Sequence, residues 1–373
     1  MAHLPRVVLT GGVSGGHTFP LIAVARVLRK RYPQGIEFLF IGSKGVFEGA
    51  AMTMENIPVK HVLYGKMRRY FSWLNYVDIF KLPIGFVQAL WHLLWFMPDA
   101  VFSKGGAASV PVVLAARLYR IPVLIHDSDS VAGRANVLLG KCVQKIAIAY
   151  PSAAQFFPKE KVALTGNPVR QEVYSGSIEG ALARFGLEAE KKTLLVIGGS
   201  QGARGLNIAL LRILPRLLAE DVQVIHQIGT AHQDEVRGLA SELGIPFEGG
   251  TYHPVGFMDA EALGDAYAAA HMVISRAGAG SIAEIAANKK ALLLIPLPRA
   301  ANDEQRKNAY EIAGLGGALV LEEANLGEHL FLEKINELLR NDGLRTEMGE
   351  KLSVFFHPDA AEKIADGIID LLP

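Results

Sequence analysis

One stretch of the sequence, residues 274–308, combines residue types that suit a nucleotide. A short apolar run is followed by a turn of small residues at 276–280, and helical composition begins at Ser281. Backbone N–H groups at the start of a helix point outward and attract anions such as phosphate. Glu284, expected in the first turn of that helix, offers a carboxylate for the paired hydroxyls of a ribose. Alone, the stretch fits a nucleotide pocket and an ordinary strand–turn–helix unit equally well.

Three further loops rich in glycine follow predicted strands, at residues 11–16, 103–109 and 198–204. Ligands of open parallel sheets bind beyond the carboxyl ends of the strands, and glycine lets backbone amides approach phosphate or sugar closely. Three such loops, spread over both halves of the chain, indicate a phosphorylated ligand. Neither a GxxxxGK[ST] loop nor a clean GxGxxG pattern is present, so P-loop and hydride-transfer enzymes are disfavoured.

These loops need a scaffold, and apolar strand runs alternate with helix-like segments in both halves. The predicted strands are 7–10, 37–41, 100–103, 123–126, 145–149, 193–198, 223–228, 272–275 and 291–296, and helix-like segments include 20–32, 110–119 and 360–372. This alternation predicts parallel sheets with right-handed crossovers, and unbroken apolar runs indicate that both sheet faces are covered. The predicted fold class is α/β, with two doubly wound Rossmann-like domains facing a central cleft.

Length and composition support two domains in a reducing compartment. A chain of 373 residues exceeds what one hydrophobic core normally serves. We place the domains at 1–166 and 167–357, with a C-terminal helix at about 358–373 as a candidate to pack back on the first. The net charge of +1 gives no argument for nucleic acid as a partner. The single cysteine, Cys142, excludes an intrachain disulfide, and no export signal is recognised, so we expect a cytoplasmic protein.

Several motifs together resemble the MurG family of glycosyltransferases. They are GGVSGGHTFP at 11–20, the glycine pair at 105–106, GNPVR at 166–170, GGSQGAR at 198–204, and RAGAGSIAE with the later QRKNA. The family joins N-acetylglucosamine from UDP-GlcNAc to lipid I in peptidoglycan synthesis, a step in cell-wall biogenesis, cell shape and cell division. The resemblance implies a GT-B fold and an inverting hexosyltransferase that acts on the MurNAc 4-hydroxyl of lipid I and gives lipid II.

The resemblance also implies roles on the donor side. Glu284 would hold the ribose hydroxyls, the backbone of Met258 would read the uracil edge, and Gln305 would contact the sugar. The other implied donor-binding residues are Ser14, Gly15, Gly16, Asp129, Arg170, Ser200, Ala279, Gly280, Ser281, Ile282 and Ala283. Gly11, Gly12, Gly105 and Gly106 would line the acceptor side, near the lipid diphosphate.

Two residues are candidates for the base that takes the proton of the acceptor hydroxyl. The resemblance implies His17, although a structural role for His17 at the start of the following helix is an equal alternative. The second candidate is Asp129, which stands where the family usually has Asn. Because a carboxylate accepts hydrogen bonds and cannot donate them, this replacement also puts the choice of sugar in doubt.

The sequence Asp127-Ser128-Asp129 matches the DxD pattern with which other glycosyltransferases bind a metal. The tripeptide is common by chance, and the glycine loops already provide for the phosphates. We therefore expect no required cofactor, and a divalent metal is not favoured.

Residues 66–97 suggest contact with a membrane. Basic and aromatic residues form a predicted membrane patch of Lys66, Arg68, Arg69, Phe71, Trp73, Phe80 and Lys81. The apolar run at 82–97 is too short to span a bilayer, so we expect 84–97 to pack on the sheet. A basic, aromatic segment of this kind is attracted to the surface of anionic lipid. The expected location is peripheral, on the cytoplasmic face of the membrane.

The expected partners are UDP-GlcNAc, lipid I and an anionic membrane surface, with other cell-wall synthesis proteins as further candidates. Two alternatives remain open at this point. One is a related GT-B enzyme with a different lipid acceptor or UDP-sugar, and the other is a non-catalytic protein that binds a UDP-sugar.

Overall fold

A computed structural model of the chain describes residues 4–12, 15–65, 73–199, 202–247, 249–298 and 302–373, without the side chains at 46, 47 and 73–80. The chain forms two compact units. Unit 1 extends to Val169 and also includes His357–Pro373, and unit 2 is Arg170–Phe356. The boundaries placed on the sequence, at 166 and 357, lie close to these.

Unit 1 is built on a parallel sheet with helices on its faces. Its strands are β1 (Arg6–Thr10), β2 (Glu37–Gly42), β3 (Val59–His61), β4 (Ala100–Ser103), β5 (Val123–Asp127), β6 (Lys145–Ile148) and β7 (Val162–Leu164). The helices between them are α1 (Gly15–Arg31), α2 (Val46–Met54), α3 (Trp73–Phe96), α4 (Ser109–Leu118) and α5 (Arg134–Gly140). The strand order β3-β2-β1-β4-β5-β6-β7 reverses direction between β1 and β4, which is the switch point where such sheets bind ligands.

Unit 2 repeats the scheme with a smaller sheet in the order β10-β9-β8-β11-β12-β13. Its strands are β8 (Lys192–Ile197), β9 (Val222–Gln227), β10 (Tyr252–Val255), β11 (Met272–Ser275), β12 (Ala291–Leu294) and β13 (Leu319–Val320). Its helices are α6 (Ile178–Phe185), α7 (Arg204–Leu218), α8 (Gln233–Glu242), α9 (Ala260–Ala269), α10 (Ala279–Ala287), α11 (Glu304–Gly314), α12 (Glu328–Leu339) and α13 (Asp342–Ser353). Its switch point lies between β8 and β11.

The last helix, α14 (Ala360–Ile369), returns to unit 1 and packs against α1. Ile364, Ala365 and Ile368 are fully buried in the core of that unit. Lys145 Nζ lies 2.7 Å from Asp370 Oδ2 at the end of this helix. The end of the chain thus completes the first domain by burying one apolar helix face.

All nine predicted strands are present, and the predicted α/β class with two doubly wound parallel sheets is confirmed. Four strands were not predicted: β3, β7, β10 and β13. They are short and only partly buried, so they lack the unbroken apolar runs of the central strands. The helix expected at 20–32 begins earlier, at Gly15, so Pro20 lies inside it and Gly15 and Gly16 are helical.

Candidate active site

In unit 2 the predicted donor-binding loops meet at one edge of the sheet. β8, β11 and β12 are neighbouring parallel strands, so the loops at 198–203, 276–278 and 295–303 leave the same carboxyl edge. This edge is where open parallel sheets bind their ligands. Ser200, one of the predicted residues, lies outside the described residues.

The start of α10 is open and free of negative charge. Gly278 precedes the helix, and the first turn carries no acidic residue. A Cβ atom added at Gly278 or Gly280 would meet no atom of the described residues within 4 Å. The backbone N–H groups at such a helix start can bind an anion. Because the helix begins at Ala279, the prediction that Glu284 lies in its first turn was wrong, and this residue belongs to the second turn.

Two side chains without a predicted role hold the turn before α10 in place. Arg276 donates to the carbonyl oxygen of Ile295 at 3.1 Å and forms a 2.5 Å ion pair with Glu323. Asn308 Nδ2 donates to the carbonyl oxygen of Ala277 at 3.2 Å, and its side chain is fully buried. These contacts fix the direction in which the N–H groups of α10 point. In the sequence, only their positions inside the RAGAGSIAE and QRKNA motifs pointed to them.

Glu284 and Arg170 form a largely buried pair of opposite charges. Glu284 Oε1 lies 4.0 Å from Arg170 Nη2, and the two side chains are 18% and 14% exposed respectively. Burial raises the pKa of Glu284 from 4.5 to about 7, against the opposing effect of the Arg170 charge. A buried carboxyl group with a pKa raised in this way is typical of binding and catalytic sites, and is also found in structural ion pairs.

Asn288 and Tyr267 surround this pair and were missed by sequence reasoning. Asn288 Nδ2 donates to the carbonyl oxygens of Val173 at 3.1 Å and Glu284 at 2.9 Å, which ties the segment after Arg170 to α10. Tyr267 is fully buried, and its hydroxyl has no hydrogen-bond partner among the described residues. Burial, followed by the nearby charge of Glu284, raises the pKa of Tyr267 well above its ordinary value. Neither residue lies in a glycine-rich motif, so no sequence pattern pointed to them.

Met258 and Gln305 fall near the same edge, whereas the predicted donor residues Gly15, Gly16 and Asp129 belong to unit 1. Met258 is buried in the loop between β10 and α9. Gln305 lies in the first turn of α11, and its Oε1 accepts a hydrogen bond from the backbone N–H of Leu297 at 2.9 Å. That bond orients the Gln305 amide within the loop that follows β12.

In unit 1 the loops that follow β1, β4 and β5 also leave neighbouring strands. They bring together the predicted acceptor glycines Gly11, Gly12, Gly105 and Gly106, with His17 and Asp129. Ser14 lies outside the described residues.

The glycines of unit 1 are required by close packing around His17. A Cβ atom at Gly12 would lie 3.1 to 3.2 Å from three atoms of the His17 ring. A Cβ atom at Gly106 would lie 2.9 Å from Gly12 Cα, and Gly106 has a φ of +90°. Only glycine fits such an approach without strain. Their first physical role here is to enclose the histidine.

His17 lies in the first turn of α1 and is half-buried. Burial, and second the charge of Lys104, lower the pKa of His17 to about 4. A neutral imidazole at pH 7 is able to accept a proton. The contact with Gly12 equally fits a role in organising the loop, so both predicted roles for His17 stay open.

Asp127 is committed to folding the loop that carries Asp129. Its Oδ2 accepts from the backbone N–H of Gly133 at 2.9 Å and from Asn136 Nδ2 at 3.0 Å. Its Oδ1 accepts from the backbone N–H of Asp129 at 3.3 Å. Within the part of the chain that the structure describes, no group of three or more His, Cys, Asp or Glu side chains could hold a metal ion.

Lys104 is an additional charged residue at this edge, and sequence reasoning gave it no role. It follows β4 directly, is 3% exposed, and its ammonium donates to Ser128 Oγ. Burial lowers the pKa of Lys104 to about 8, while Asp127 and Asp129 act in the opposite direction. A lysine inside the Ser103–Gly106 loop was visible in the sequence, but its burial was not.

The predicted membrane patch lies mostly beyond the described residues. Lys66, Arg68, Arg69 and Phe71 are not described, nor are the side chains of Trp73 and Phe80, and Lys81 is half-buried. The rest of α3 is only partly packed on the sheet, as Ala89 and Leu93 are buried while its other face is exposed. The exposed apolar residues of α3 and the position after it are Ile84, Val87, Trp91, Leu94, Trp95 and Met97. Among the described residues, no helix is long and apolar enough to cross a membrane.

Comparisons with known proteins cover both units. Residues 7–148 match the glycosyltransferase family 28 N-terminal domain, and residues 193–364 match the glycosyltransferase family 28 C-terminal domain. The UDP-N-acetylglucosamine–N-acetylmuramyl-(pentapeptide) pyrophosphoryl-undecaprenol N-acetylglucosamine transferase of Flavobacterium psychrophilum is 35% identical over 98% of each chain. The Bacillus subtilis enzyme of the same name is 33% identical over 96% of this chain and 97% of its own.

A solved structure agrees with these matches. The crystal structure of MurG from Acinetobacter baumannii superposes with a TM-score of 0.75 at 27% identity, over 98% of this chain and 99% of that one. The predicted GT-B fold class and the predicted family are both confirmed. The chain therefore belongs to glycosyltransferase family 28, and within it to the MurG family of N-acetylglucosamine transferases.

Proposed function

We propose that this protein transfers N-acetylglucosamine from UDP-GlcNAc to the 4-hydroxyl of the MurNAc residue of lipid I, with inversion, and so forms lipid II. Membership of the MurG family gives the reaction class. The observation that carries the proposal at the site is the Glu284–Arg170 pair beside the open start of α10. A nucleoside diphosphate needs this combination of a carboxylate for the ribose and N–H and guanidinium donors for phosphate.

The donor is bound by unit 2. The N–H groups at the start of α10 and the guanidinium of Arg170 take the diphosphate, and Glu284 accepts hydrogen bonds from the ribose hydroxyls. The backbone of Met258 reads the uracil edge, and Gln305 contacts the sugar. No described atom lies within 4 Å of a Cβ position at Gly278 or Gly280, which supports an approach of the diphosphate to the helix there.

The chemistry is a direct displacement. The acceptor oxygen forms a bond to the anomeric carbon while the bond from that carbon to the UDP oxygen breaks, and its electron pair leaves with UDP. The acceptor proton goes to His17 or Asp129. Donors preorganised around the leaving diphosphate, on α10 and Arg170, stabilise the charge that develops there.

The reaction requires no metal in this proposal. The Asp127 carboxylate accepts three hydrogen bonds from its own loop, so it is poorly available as a metal ligand. Positive charge at the leaving group comes from Arg170 and the N–H groups of α10.

The protein works at the cytoplasmic face of the membrane as a peripheral enzyme in this proposal, because its acceptor is lipid-linked. Support comes from the exposed face of α3, where Trp91 is 59% and Trp95 70% exposed. The two rings contact each other edge to face at 5.6 Å. A contiguous apolar face with tryptophan is typical of interfacial helices, and the basic residues at 66–69 would add attraction to anionic lipid.

A second candidate is a related enzyme with a different UDP-sugar or lipid acceptor. The observation that favours it is Asp129, which stands where the resembling family usually has Asn and cannot donate a hydrogen bond to a sugar hydroxyl. Assembly with other cell-wall synthesis proteins is a further proposal that rests on the family alone.

One experiment separates these functions. UDP release would be measured with several UDP-sugars, each with and without a lipid I analogue, and with EDTA in parallel. We expect release that needs both UDP-GlcNAc and the analogue and that EDTA does not reduce. Release with another UDP-sugar only would favour the second candidate, and binding without any release would indicate a non-catalytic protein.

A further inference from the structure

We propose that Lys104 is a positioning residue of the transfer reaction, whose buried ammonium, hydrogen-bonded to Ser128, sets the electrostatic field at the base of unit 1. The kinetic part of this inference rests on the proposed function. Its electrostatic part rests on the described residues alone and is tested separately below.

The geometry places Lys104 at the centre of the three loops. Its backbone N–H donates to the carbonyl oxygen of Thr10 at 2.8 Å, which continues the β1–β4 pairing into the loops. A Cβ atom at Gly11 would lie 3.4 Å from Lys104 Cβ and 3.5 Å from His17 Cβ. The stem of the lysine therefore lies next to α1, on the side that carries His17.

The ammonium group is directed toward the loop that follows β5. It donates to Ser128 Oγ, so it contacts the residue between Asp127 and Asp129. Both carboxylates interact with its charge. The same ammonium thus connects the two candidate bases, because His17 on α1 and Asp129 after β5 both lie in its field.

This position argues against Lys104 as a direct ligand for phosphate. The residue is only 3% exposed, and two carboxylates already more than balance its charge. Its field acts instead on its buried neighbours. A positive charge lowers the proton affinity of any nearby base, whether that base is an imidazole or a carboxylate. The inference therefore holds for either choice of base.

The charged and titratable groups that face this cluster come from three elements. Lys104 follows β4, His126 and Asp127 end β5 with Asp129 just after them, and His17 begins α1. His126 is fully buried, its Nε2 lies 2.9 Å from the carbonyl oxygen of Gly166, and burial and Lys104 lower its pKa. His126 thus stays neutral and adds no positive charge to the cluster.

The test compares Lys104→Gln, which keeps a hydrogen-bond donor toward Ser128 but removes the charge, with Lys104→Arg, which keeps the charge. Lys30→Gln is the matched control, since Lys30 is exposed in the last turn of α1, roughly 20 Å along the helix from His17. The titration midpoint of His17 is followed by NMR of histidine-labelled protein, with the resonance assigned from a His17→Gln variant. The pH profile of kcat and the KM for UDP-GlcNAc are measured on the same proteins.

Two results support the proposal. In Lys104→Gln the His17 midpoint, the acid limb of kcat, or both move upward by about one pH unit, while Lys104→Arg and Lys30→Gln leave them in place. A shift in the acid limb of the kcat profile without a shift in the titration midpoint of His17 identifies Asp129 as the base. The KM for the donor changes little, because the proposed contacts to its diphosphate and ribose all belong to unit 2.

One result overturns the proposal: a folded Lys104→Gln protein in which neither the His17 midpoint nor the acid limb moves, even if kcat falls. Lys104→Met replaces Lys104→Gln should the latter not fold, as judged by near-UV circular dichroism. Failure of the proposed function is recognised separately, because the wild-type protein would then transfer no sugar to a lipid I analogue, while the NMR titration still reports the effect of Lys104 on His17.

Discussion

Replacing Glu284 by glutamine should stabilise unit 2 and at the same time weaken donor binding. Burial raises the pKa of Glu284 from 4.5 to about 7, even with Arg170 Nη2 4.0 Å away. The ionised side chain is thus held at a cost to the free energy of folding. Glutamine has nearly the same shape and carries no charge. It therefore removes this cost and also removes the acceptor for the ribose hydroxyls.

The magnitude follows from the pKa. A rise from 4.5 to about 7 corresponds to about 3 kcal/mol between the protonated and ionised forms. A carboxyl group with a raised pKa contributes its full stability below the unfolded value of 4.5 and loses it as the pH rises through about 7. The advantage of Glu284→Gln should therefore be small, about 1 kcal/mol, at pH 5 and grow toward about 3 kcal/mol at pH 8.

The assay is thermal and denaturant unfolding of unit 2 at several values between pH 5 and 8. For a domain of this size, 1 kcal/mol corresponds to about 2–4 °C in the midpoint of unfolding, so the variant should gain several degrees at pH 8. Glu333→Gln, on an exposed residue of α12, is the matched control and should show no pH-dependent difference. Calorimetric titration with UDP-GlcNAc should show about a ten- to hundredfold loss of affinity in Glu284→Gln.

A variant that is less stable than the wild type at every pH, or whose stability difference does not change with pH, would refute the reasoning. Unchanged affinity for UDP-GlcNAc would remove Glu284 from the donor site. Higher stability together with lower affinity is the combination expected of a residue kept for binding at the expense of folding.

Three further outcomes follow from other parts of the molecule. The double variant Trp91→Ser, Trp95→Ser should sediment several-fold less with anionic vesicles than the wild type. The control Leu243→Ser, at an exposed residue of unit 2, should sediment as the wild type does. An equal loss in both proteins would reject α3 as the membrane face. Burial lowers the pKa of His226 to about 3, so the contribution of neutral His226 to the free energy of unfolding is complete above pH 6.5 and is lost as the pH falls toward 3. A His226→Gln protein should therefore lose less stability than the wild type between pH 6 and pH 4. Gly280→Ala should leave the unfolding midpoint within about 2 °C of the wild type, because its Cβ would meet none of the described atoms within 4 Å, yet it should lower donor affinity. Unchanged affinity would show that the diphosphate does not approach this residue.

The overall fold and the positions of both loop clusters could be predicted from the sequence. The central strands are buried on both faces, so they appear as unbroken apolar runs, and neighbouring carboxyl edges follow from the parallel order. Asp129 follows β5 closely and the turn at 276–278 follows β11 directly, so the chain itself brings Asp129 and the start of α10 to the edges. The edge strands could not be predicted in this way, because β3 and β13 are short and partly exposed.

The supporting residues could not be predicted because their partners are distant in the chain. Asn288 bonds to Val173, which lies 115 positions earlier, and Arg276 pairs with Glu323 on a different loop. The burial of Lys104 likewise depends on loops that follow three different strands. When the role of a residue is a contact that only the folded chain creates, its type and position in the sequence do not indicate that role.

The glycines of the two units differ in their surroundings, and the sequence alone does not show this difference. Gly12 and Gly106 lie against each other and against the His17 ring, and an added Cβ atom would collide at 2.9 to 3.2 Å. At Gly278 and Gly280 an added Cβ atom would meet no described atom within 4 Å, so packing among the described residues requires no glycine there. The first pair is therefore required by the folded protein itself, whereas the second pair has a physical reason only if something else fills that space. A ligand that comes close to the backbone at the start of α10 supplies that reason, and a diphosphate is a group that the helix N–H donors there can bind.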